Sequence, residues 1–119
     1  MTKKINIANS ELPIMKVIWE HPDLTSPEIF EYLDGNKNTF KTLLQRLIAK
    51  GAVTSTEINS RVYRYRAAIS REEYTRIERK GFLQKVFDGS KEKMLLNFVK
   101  EENITKEDIQ KLLDMIEED

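Results

Sequence analysis

The chain has 119 residues, 39% of them hydrophobic, so it can build one core but not two full domains. It has no cysteine and one histidine, which excludes disulfides, thiolate catalysis and cysteine-based zinc sites, and we expect neither a metal nor another cofactor. Positions 1–68 carry ten basic and seven acidic side chains and positions 69–119 carry ten and thirteen, so a mildly basic part precedes an acidic one.

Three amphipathic helices are predicted at the start of the chain. The first covers Asn9 to His21 and stops before a proline. The second follows a start signal at Thr25 and ends at Gly35. The third begins at Thr39 as its cap, carries apolar residues every three or four positions, and ends at Gly51. Trp19, the single tryptophan, is expected in the core between the first helix and the segment that follows the third.

Two β-prone segments come next, Ala52 to Ile58 and Arg61 to Ala67. The turn pair Asn59-Ser60 separates them, and bulky and basic side chains alternate approximately in the second segment. The pattern predicts a β-hairpin with a positively charged edge.

Three further helices are predicted after the hairpin. They run from beyond Ser70 to about Phe87, from Lys91 to about Glu102 and from Lys106 to about Glu117. The predicted fold is mainly α with a small β-hairpin: a winged helix-turn-helix DNA-binding domain at 1–69 and a helical dimerisation domain at 70–119.

The order helix, helix, helix, hairpin is typical of winged-helix proteins, in which the third helix enters the major groove of double-stranded DNA. Hydroxyl and long cationic side chains on that helix suit base edges and phosphates, and arginines on the hairpin suit phosphates or the minor groove. A solvated helix face and a charged edge strand would show the same residues, and this alternative stays open. The predicted DNA-binding residues are Lys37, Thr39, Lys41, Thr42, Gln45, Arg46, Lys50, Arg61 and Arg64.

The three C-terminal helices carry more apolar surface than they and a small DNA-binding domain can bury. We therefore expect them to close a symmetric homodimer. The predicted dimerisation residues are Tyr74, Ile77, Phe82, Leu83, Val86, Phe87, Leu95, Phe98, Val99, Leu112, Leu113 and Ile116.

Three motifs make the chain similar to a known family. They are Glu11-Leu-Pro-Ile-Met-Lys-Val-Ile-Trp19, Thr39-x-x-Thr42-x-x-x-Arg46-Leu47-x-x-Lys50-Gly51 and Tyr63-x-Tyr65. Together they resemble the penicillinase and methicillin-resistance repressors, the BlaI/MecI/CopY group of bacterial winged-helix proteins. The resemblance runs through the whole chain. It implies a homodimer that binds a dyad-symmetric operator, dimerises through its C-terminal helices and blocks transcription of a resistance or homeostasis operon.

Two branches of that family respond to different signals. The copper-responsive branch binds metal through a cysteine-rich tail, which this cysteine-free chain lacks. The β-lactam-responsive branch is inactivated by cleavage of an Asn–Phe bond, and the matching bond here is Asn97–Phe98. The resemblance implies a membrane sensor-protease as the partner that cuts it. The same two residues also fit an ordinary apolar aromatic beside a polar neighbour, so relief of repression by another signal stays open.

Other functional classes fit the sequence less well. No nucleophile–base pair or glycine-rich phosphate loop is evident, so we expect no enzymatic activity. A winged-helix module that binds proteins rather than DNA stays open because the net charge is zero. The N-terminal residues lack a secretory signal and no apolar run reaches the roughly 20 residues that span a bilayer, so we expect a cytoplasmic protein without membrane insertion.

Overall fold

A computed structural model describes residues 5–117 of the chain. Six helices and one two-stranded antiparallel sheet form the described part, which confirms the predicted fold class. The elements are α1 Leu12–Glu20, α2 Ser26–Glu31, α3 Lys37–Ala49, β1 Val53–Asn59, β2 Val62–Ala67, α4 Arg71–Phe87, α5 Lys91–Glu101 and α6 Lys106–Glu117. The chain divides into two compact units, the first ending at Tyr74 and the second beginning at Thr75. We call the first unit the head.

The core of the head forms where α1, α2 and α3 pack against the hairpin. Each element contributes fully buried aliphatic side chains, and removing one such side chain from water stabilises the fold by roughly 1.5–3 kcal/mol. These residues are Ile14, Met15, Ile18, Ile29, Leu44, Leu47 and Val53. Because α3 buries one face here, its opposite face is left to solvent.

Local capping determines where the helices of the head begin. The start of α2 is as predicted, since Thr25 and Glu28 form a capping box in which the Thr25 amide donates to Glu28 Oε1 at 2.9 Å. The prediction of Thr39 as the cap of α3 is wrong. Asn36 caps it instead, accepting a hydrogen bond from the Asn38 amide on Oδ1 at 2.8 Å, so Thr39 lies within the first turn. Asparagine is the stronger N-cap, which extends the helix backwards.

The boundaries of α1 and α2 also differ from the sequence prediction. The first helix begins at Leu12 rather than Asn9, and α2 ends at Glu31 rather than near Gly35.

The single tryptophan, Trp19, is half-buried, and its indole Nε1 donates to the Ile69 carbonyl at 2.9 Å. This hydrogen bond connects α1 to the segment that precedes α4.

The hairpin turns one residue later than predicted. A bulge in β1 lies between Glu57 and Asn59, and Asn59 then pairs with Val62. Ser60 and Arg61 therefore form the turn in place of Asn59-Ser60. Arg61 has a φ of 68°, in the left-handed region that tight turns require. A bridge between Leu24 and Tyr65 joins the α1–α2 loop to β2.

The helices of the second unit begin at side-chain caps. Ser90 Oγ accepts from the Lys93 amide at 3.2 Å, and Thr105 and Asp108 cap one another's amides at 3.0 and 3.1 Å. Neither α5 nor α6 has a buried residue. Within residues 5–117, no helix is both long and apolar enough to cross a membrane.

Candidate nucleic-acid interface

The solvent side of α3 presents a continuous polar row. Asn38, Lys41, Thr42 and Gln45 are all exposed and are spaced three and four residues apart, which places them on one face of the helix. Leu43, Leu44 and Leu47 on the other face are buried. The row combines an ammonium, two amides and a hydroxyl, the groups that hydrogen-bond base edges and phosphates.

Asn38 belongs to this row although the sequence analysis started the helix one residue later, at Thr39. Its backbone carbonyl accepts a hydrogen bond from Thr42 Oγ1 at 3.1 Å, which confirms that the two residues are one helical turn apart. An asparagine amide can bind adenine N6 and N7 together. Asn38 and Thr42 are four residues apart, and this helical spacing is the signal in the sequence that places Asn38 in the row. The prediction that the helix starts at Thr39 left Asn38 out.

The other predicted residues of α3 flank the row. Lys37 and Thr39 lie exposed in its first turn. Arg46 is exposed in its last turn, and its charge helps to lower the pKa of Glu11. Lys37 is the first residue of α3 rather than a residue ahead of it, since Asn36 is the cap.

Lys50 differs from the other predicted cations because its ammonium is already paired. Nζ lies 2.5 Å from Glu11 Oε1 and 2.8 Å from the Asn6 carbonyl oxygen. Only 1% of Glu11 is exposed. Burial by itself would raise the pKa of Glu11, but the hydrogen bonds from Lys50 and the Ala8 amide and the charge of Lys50 together lower it. The carboxylate is therefore ionised, and Lys50 has a structural partner.

The hairpin presents arginines on the face opposite its buried side. Tyr65 of β2 is buried, so its neighbours Arg64 and Arg66 are exposed on the outer face, while Arg61 is exposed at the turn. Arg64 Nη1 donates to the backbone carbonyl of Asp23 at 2.9 Å, and Arg66 forms an ion pair with the Asp23 carboxylate. Arg66 belongs to the predicted basic strand but is not among the predicted DNA-binding residues.

Comparison with known proteins identifies the family. The family model described as Penicillinase repressor matches residues 7–118. The chain belongs to this family. The penicillinase repressor of Bacillus licheniformis is 32% identical over 122 residues, covering 99% of this chain and 94% of the relative. The methicillin resistance regulatory protein MecI of Staphylococcus aureus strain N315 is 25% identical over 118 residues, covering 96% of this chain and 95% of the relative.

Solved structures agree with this assignment. The solution structure of the DNA-binding domain of the repressor BlaI matches with a TM-score of 0.54 and 35% identity, over 62% of this chain and 94% of that domain. A Peptoclostridium difficile MarR protein shares the fold at 18% identity, with a TM-score of 0.50 over 94% of this chain and 67% of its own. These findings confirm the predicted family, the winged-helix fold and the function as a DNA-binding repressor, which is not a class of enzyme.

The predicted dimerisation residues of this penicillinase-repressor family member fall into two groups. Seven are exposed: Phe82, Val86, Leu95, Phe98, Leu112, Leu113 and Ile116. The half-buried ones are Tyr74, Ile77, Leu83, Phe87 and Val99. Tyr74 belongs to the head, where its ring lies 5.4 Å from that of Trp19. It therefore has a packing role within one copy of the chain.

The predicted cleavage bond lies inside α5. Asn97 and Phe98 are helical and exposed, with 38% of Phe98 open to solvent. Asn97 also lines a shallow groove in the second unit together with Phe87, Leu96 and Lys100. The bond is thus at the surface but within regular helical backbone.

Proposed function

We propose that the chain represses transcription as a homodimer that reads a dyad-symmetric operator with α3 and holds the DNA backbone with the hairpin. The observation that carries this proposal is the exposed row of Asn38, Lys41, Thr42 and Gln45 on a helix whose opposite face is buried. The major groove is about 12 Å wide and admits one such helix. A BlaI monomer of Bacillus licheniformis in complex with the blaP half-operator is 35% identical over 61% of this chain, with a TM-score of 0.50 and 94% of its own length covered.

The charge distribution supports a repressor that needs two heads. The head, residues 1–74, has eleven basic and nine acidic side chains, and Lys50 and Arg66 are paired with carboxylates. Each head can therefore neutralise few phosphates, and one head alone should bind weakly at physiological salt. Linking two heads raises their effective concentration on adjacent half-sites and increases the overall affinity by a factor of roughly a hundred or more.

The surface proposed to join the heads is the apolar side of the second unit. In α6, Ile109, Leu112, Leu113 and Ile116 recur at helical spacing and are all exposed. Leu95 and Phe98 of α5 are exposed as well. An exposed apolar helix face of this kind is covered in most soluble proteins, and a second copy of the same chain is the occupant that a dyad operator requires.

The proposed inactivation is cleavage between Asn97 and Phe98 by a membrane sensor-protease, in response to a β-lactam. The cut would remove the end of α5 and all of α6, and with them much of the proposed dimer surface. Because the bond is in helical backbone, α5 must open locally before a protease can take it up in extended form. Regulation of an antibiotic-resistance operon from the cytoplasm follows from this assignment.

Selection of bound fragments from the source genome by the purified full chain tests the proposal. We expect recovery of fragments that contain an inverted repeat, and a gel-shift titration in which that repeat binds at least a thousandfold more tightly than a scrambled duplex. A single half-site of the same length is the matched control and should bind much more weakly than the repeat. Failure to bind any duplex at low salt would overturn the proposal and favour a protein-interaction module.

A further inference from the structure

Asp23 lies against the outer face of the hairpin, where both Arg64 and Arg66 donate hydrogen bonds to it. Two nitrogen atoms of Arg66 donate to the two carboxylate oxygens of Asp23, Nε to Oδ1 and Nη2 to Oδ2, the latter at 2.7 Å. Such a bidentate arrangement gives the strongest pairing between an arginine and a carboxylate. Arg64 donates to the backbone carbonyl of the same residue.

The two arginines consequently differ in the charge that they offer to DNA. The charge of Arg66 is compensated by a carboxylate, whereas the carbonyl partner of Arg64 has no net charge. The hydrogen bond from Arg66 lowers the pKa of Asp23, so the carboxylate stays ionised near neutral pH. The pair is also open to solvent, with 67% of the Arg66 side chain and 38% of the Asp23 side chain exposed, so a phosphate could compete with Asp23 for Arg66.

The carboxylate is not needed to hold the loop in place. The Asp23 amide donates to the Tyr65 carbonyl at 3.1 Å, and the Tyr65 amide donates to the Leu24 carbonyl at 3.0 Å. These two backbone bonds already fix the α1–α2 loop on β2. The bidentate ion pair adds to these bonds, but its contribution to stability is limited because both side chains are open to solvent. Because the loop is already placed by its backbone, the pairing of Asp23 with Arg66 can serve a second purpose besides stability.

We propose that Asp23 limits the sequence-independent affinity of the head for DNA by holding Arg66 in an internal ion pair, away from phosphates. Non-specific binding comes almost entirely from neutralised phosphates, so removing one cation from the contact surface weakens it. A genome offers a large excess of non-specific sites, and a lower affinity for them leaves more repressor for its operator. This inference rests on the DNA-binding function proposed above.

The test compares the full-length wild type with Asp23→Asn on a labelled duplex of scrambled sequence between 50 and 200 mM salt. Asparagine is close to aspartate in size and tolerates the left-handed φ of 69° at this position. We expect the variant to bind more tightly and its affinity to fall more steeply with salt, by an added slope of about 0.9 per head. The ratio of the variant's affinity to that of the wild type should fall roughly threefold per head between 50 and 200 mM salt, which is the effect of one extra phosphate contact.

The matched control is the double variant Asp23→Asn/Arg66→Gln, which removes both members of the pair and leaves the net charge unchanged. It should restore the wild-type affinity and salt slope. Asp23→Gly also removes the carboxylate that pairs with Arg66, and glycine tolerates the positive φ at this position. It replaces the asparagine variant if that variant does not fold. An unchanged or weaker affinity in folded Asp23 variants, or a double variant as steep as Asp23→Asn, would overturn the inference. A wild type that binds no duplex at all would instead overturn the proposed function.

Discussion

The ammonium of Lys50 lies 2.5 Å from the carboxylate of Glu11 and joins the end of α3 to the start of α1. The same carboxylate oxygen accepts a hydrogen bond from the Ala8 amide at 2.8 Å. Glu11 is the one buried charged residue among those that the structure describes. A buried carboxylate needs a compensating charge, so the position of α3, the proposed DNA-reading helix, depends on this ion pair.

Replacing Lys50 by methionine should destabilise the head strongly. The change leaves the Glu11 carboxylate buried without its counter-charge, and we expect the free energy of unfolding to fall by about 2–4 kcal/mol. Urea denaturation of the full chain followed by tryptophan fluorescence measures this, because Trp19 is the single tryptophan and lies in the head. Lys41→Met, at an exposed position of the same helix, is the control and should change stability by less than about 0.5 kcal/mol. Equal effects of the two variants would show that the ion pair contributes nothing to stability.

The stability of the head should fall in acid below about pH 4.5. The hydrogen bonds from Lys50 and Ala8 outweigh burial and lower the pKa of Glu11, and the hydrogen bond from Arg66 lowers that of Asp23. A carboxyl whose pKa is lower in the folded than in the unfolded chain stabilises the fold fully above its unfolded pKa, about 4 for these groups, and loses this effect as the pH drops through the folded value. Urea midpoints at several pH values between 3 and 7 should therefore be level near neutrality and decline below about pH 4.5.

The Glu11→Gln variant separates the contribution of Glu11 from the other carboxyls. Glutamine cannot ionise but keeps an oxygen that can accept from the Ala8 amide. The variant should start from a lower stability at pH 7 and decline less steeply in acid than the wild type. If the two curves stayed parallel down to pH 3, the pKa of Glu11 would not be lowered by folding.

The sequence predicted the elements of this fold better than the contacts between them. Apolar spacing located every helix, because burial of one face dictates that period. The start of α3 was missed because Asn36 and Thr39 are both capping residues, and spacing alone does not choose between them. The pairing of Lys50 with Glu11 and of Arg66 with Asp23 spans about forty residues of sequence, so only the folded chain reveals which cations are compensated.

Substitutions on α3 and on the hairpin should affect DNA binding in different ways. Alanine at Asn38, Lys41 or Thr42 should change which operator sequences are preferred, since these side chains lie on the row proposed to face the major groove. Alanine at Arg61 or Arg64 should weaken binding about equally on all sequences and reduce the salt slope by roughly one. Selection from a randomised duplex library and salt titrations measure the two effects.

The control for this comparison is Lys16→Ala, which removes an exposed charge from α1 at a position outside both surfaces. It should change neither the preferred sequence nor the salt slope. A change of sequence preference in the hairpin variants, with none in the α3 variants, would reverse the roles assigned to the two elements.

Aspartate substitutions on the apolar side of α6 should prevent dimerisation. Leu112 and Ile116 are 54% and 69% exposed, so Leu112→Asp/Ile116→Asp should leave each copy of the chain folded while placing two charges in the proposed interface. Sedimentation at tens of micromolar should show a dimer for the wild type and a monomer for the variant. Lys111→Asp, on the opposite side of α6, should remain a dimer. A folded wild-type monomer at this concentration would contradict the proposed assembly.

A chain that ends at Asn97 should keep a folded head and lose operator affinity. The truncation removes Phe98 and the last residues of α5 together with α6, and so removes much of the proposed dimer surface, while the core of the head is formed by residues before Tyr74. We expect circular dichroism to show helix and hairpin, sedimentation to show mainly monomer, and a gel-shift titration at physiological salt to show operator binding weakened by roughly a hundredfold, the loss of effective concentration when two heads are no longer linked.

The full-length variant Leu112→Asp/Ile116→Asp is the informative control for this truncation, because it separates the heads without shortening the chain. If loss of dimerisation is the whole cause, the truncated chain and the full-length variant should lose operator affinity to the same extent. Each should still bind an isolated half-site as tightly as the wild-type chain does. An operator affinity of the truncated chain equal to that of the intact chain would show that the C-terminal helices do not couple the heads. Cleavage at Asn97–Phe98 would then leave repression intact, and the proteolytic switch would have to be abandoned in favour of another inducing signal.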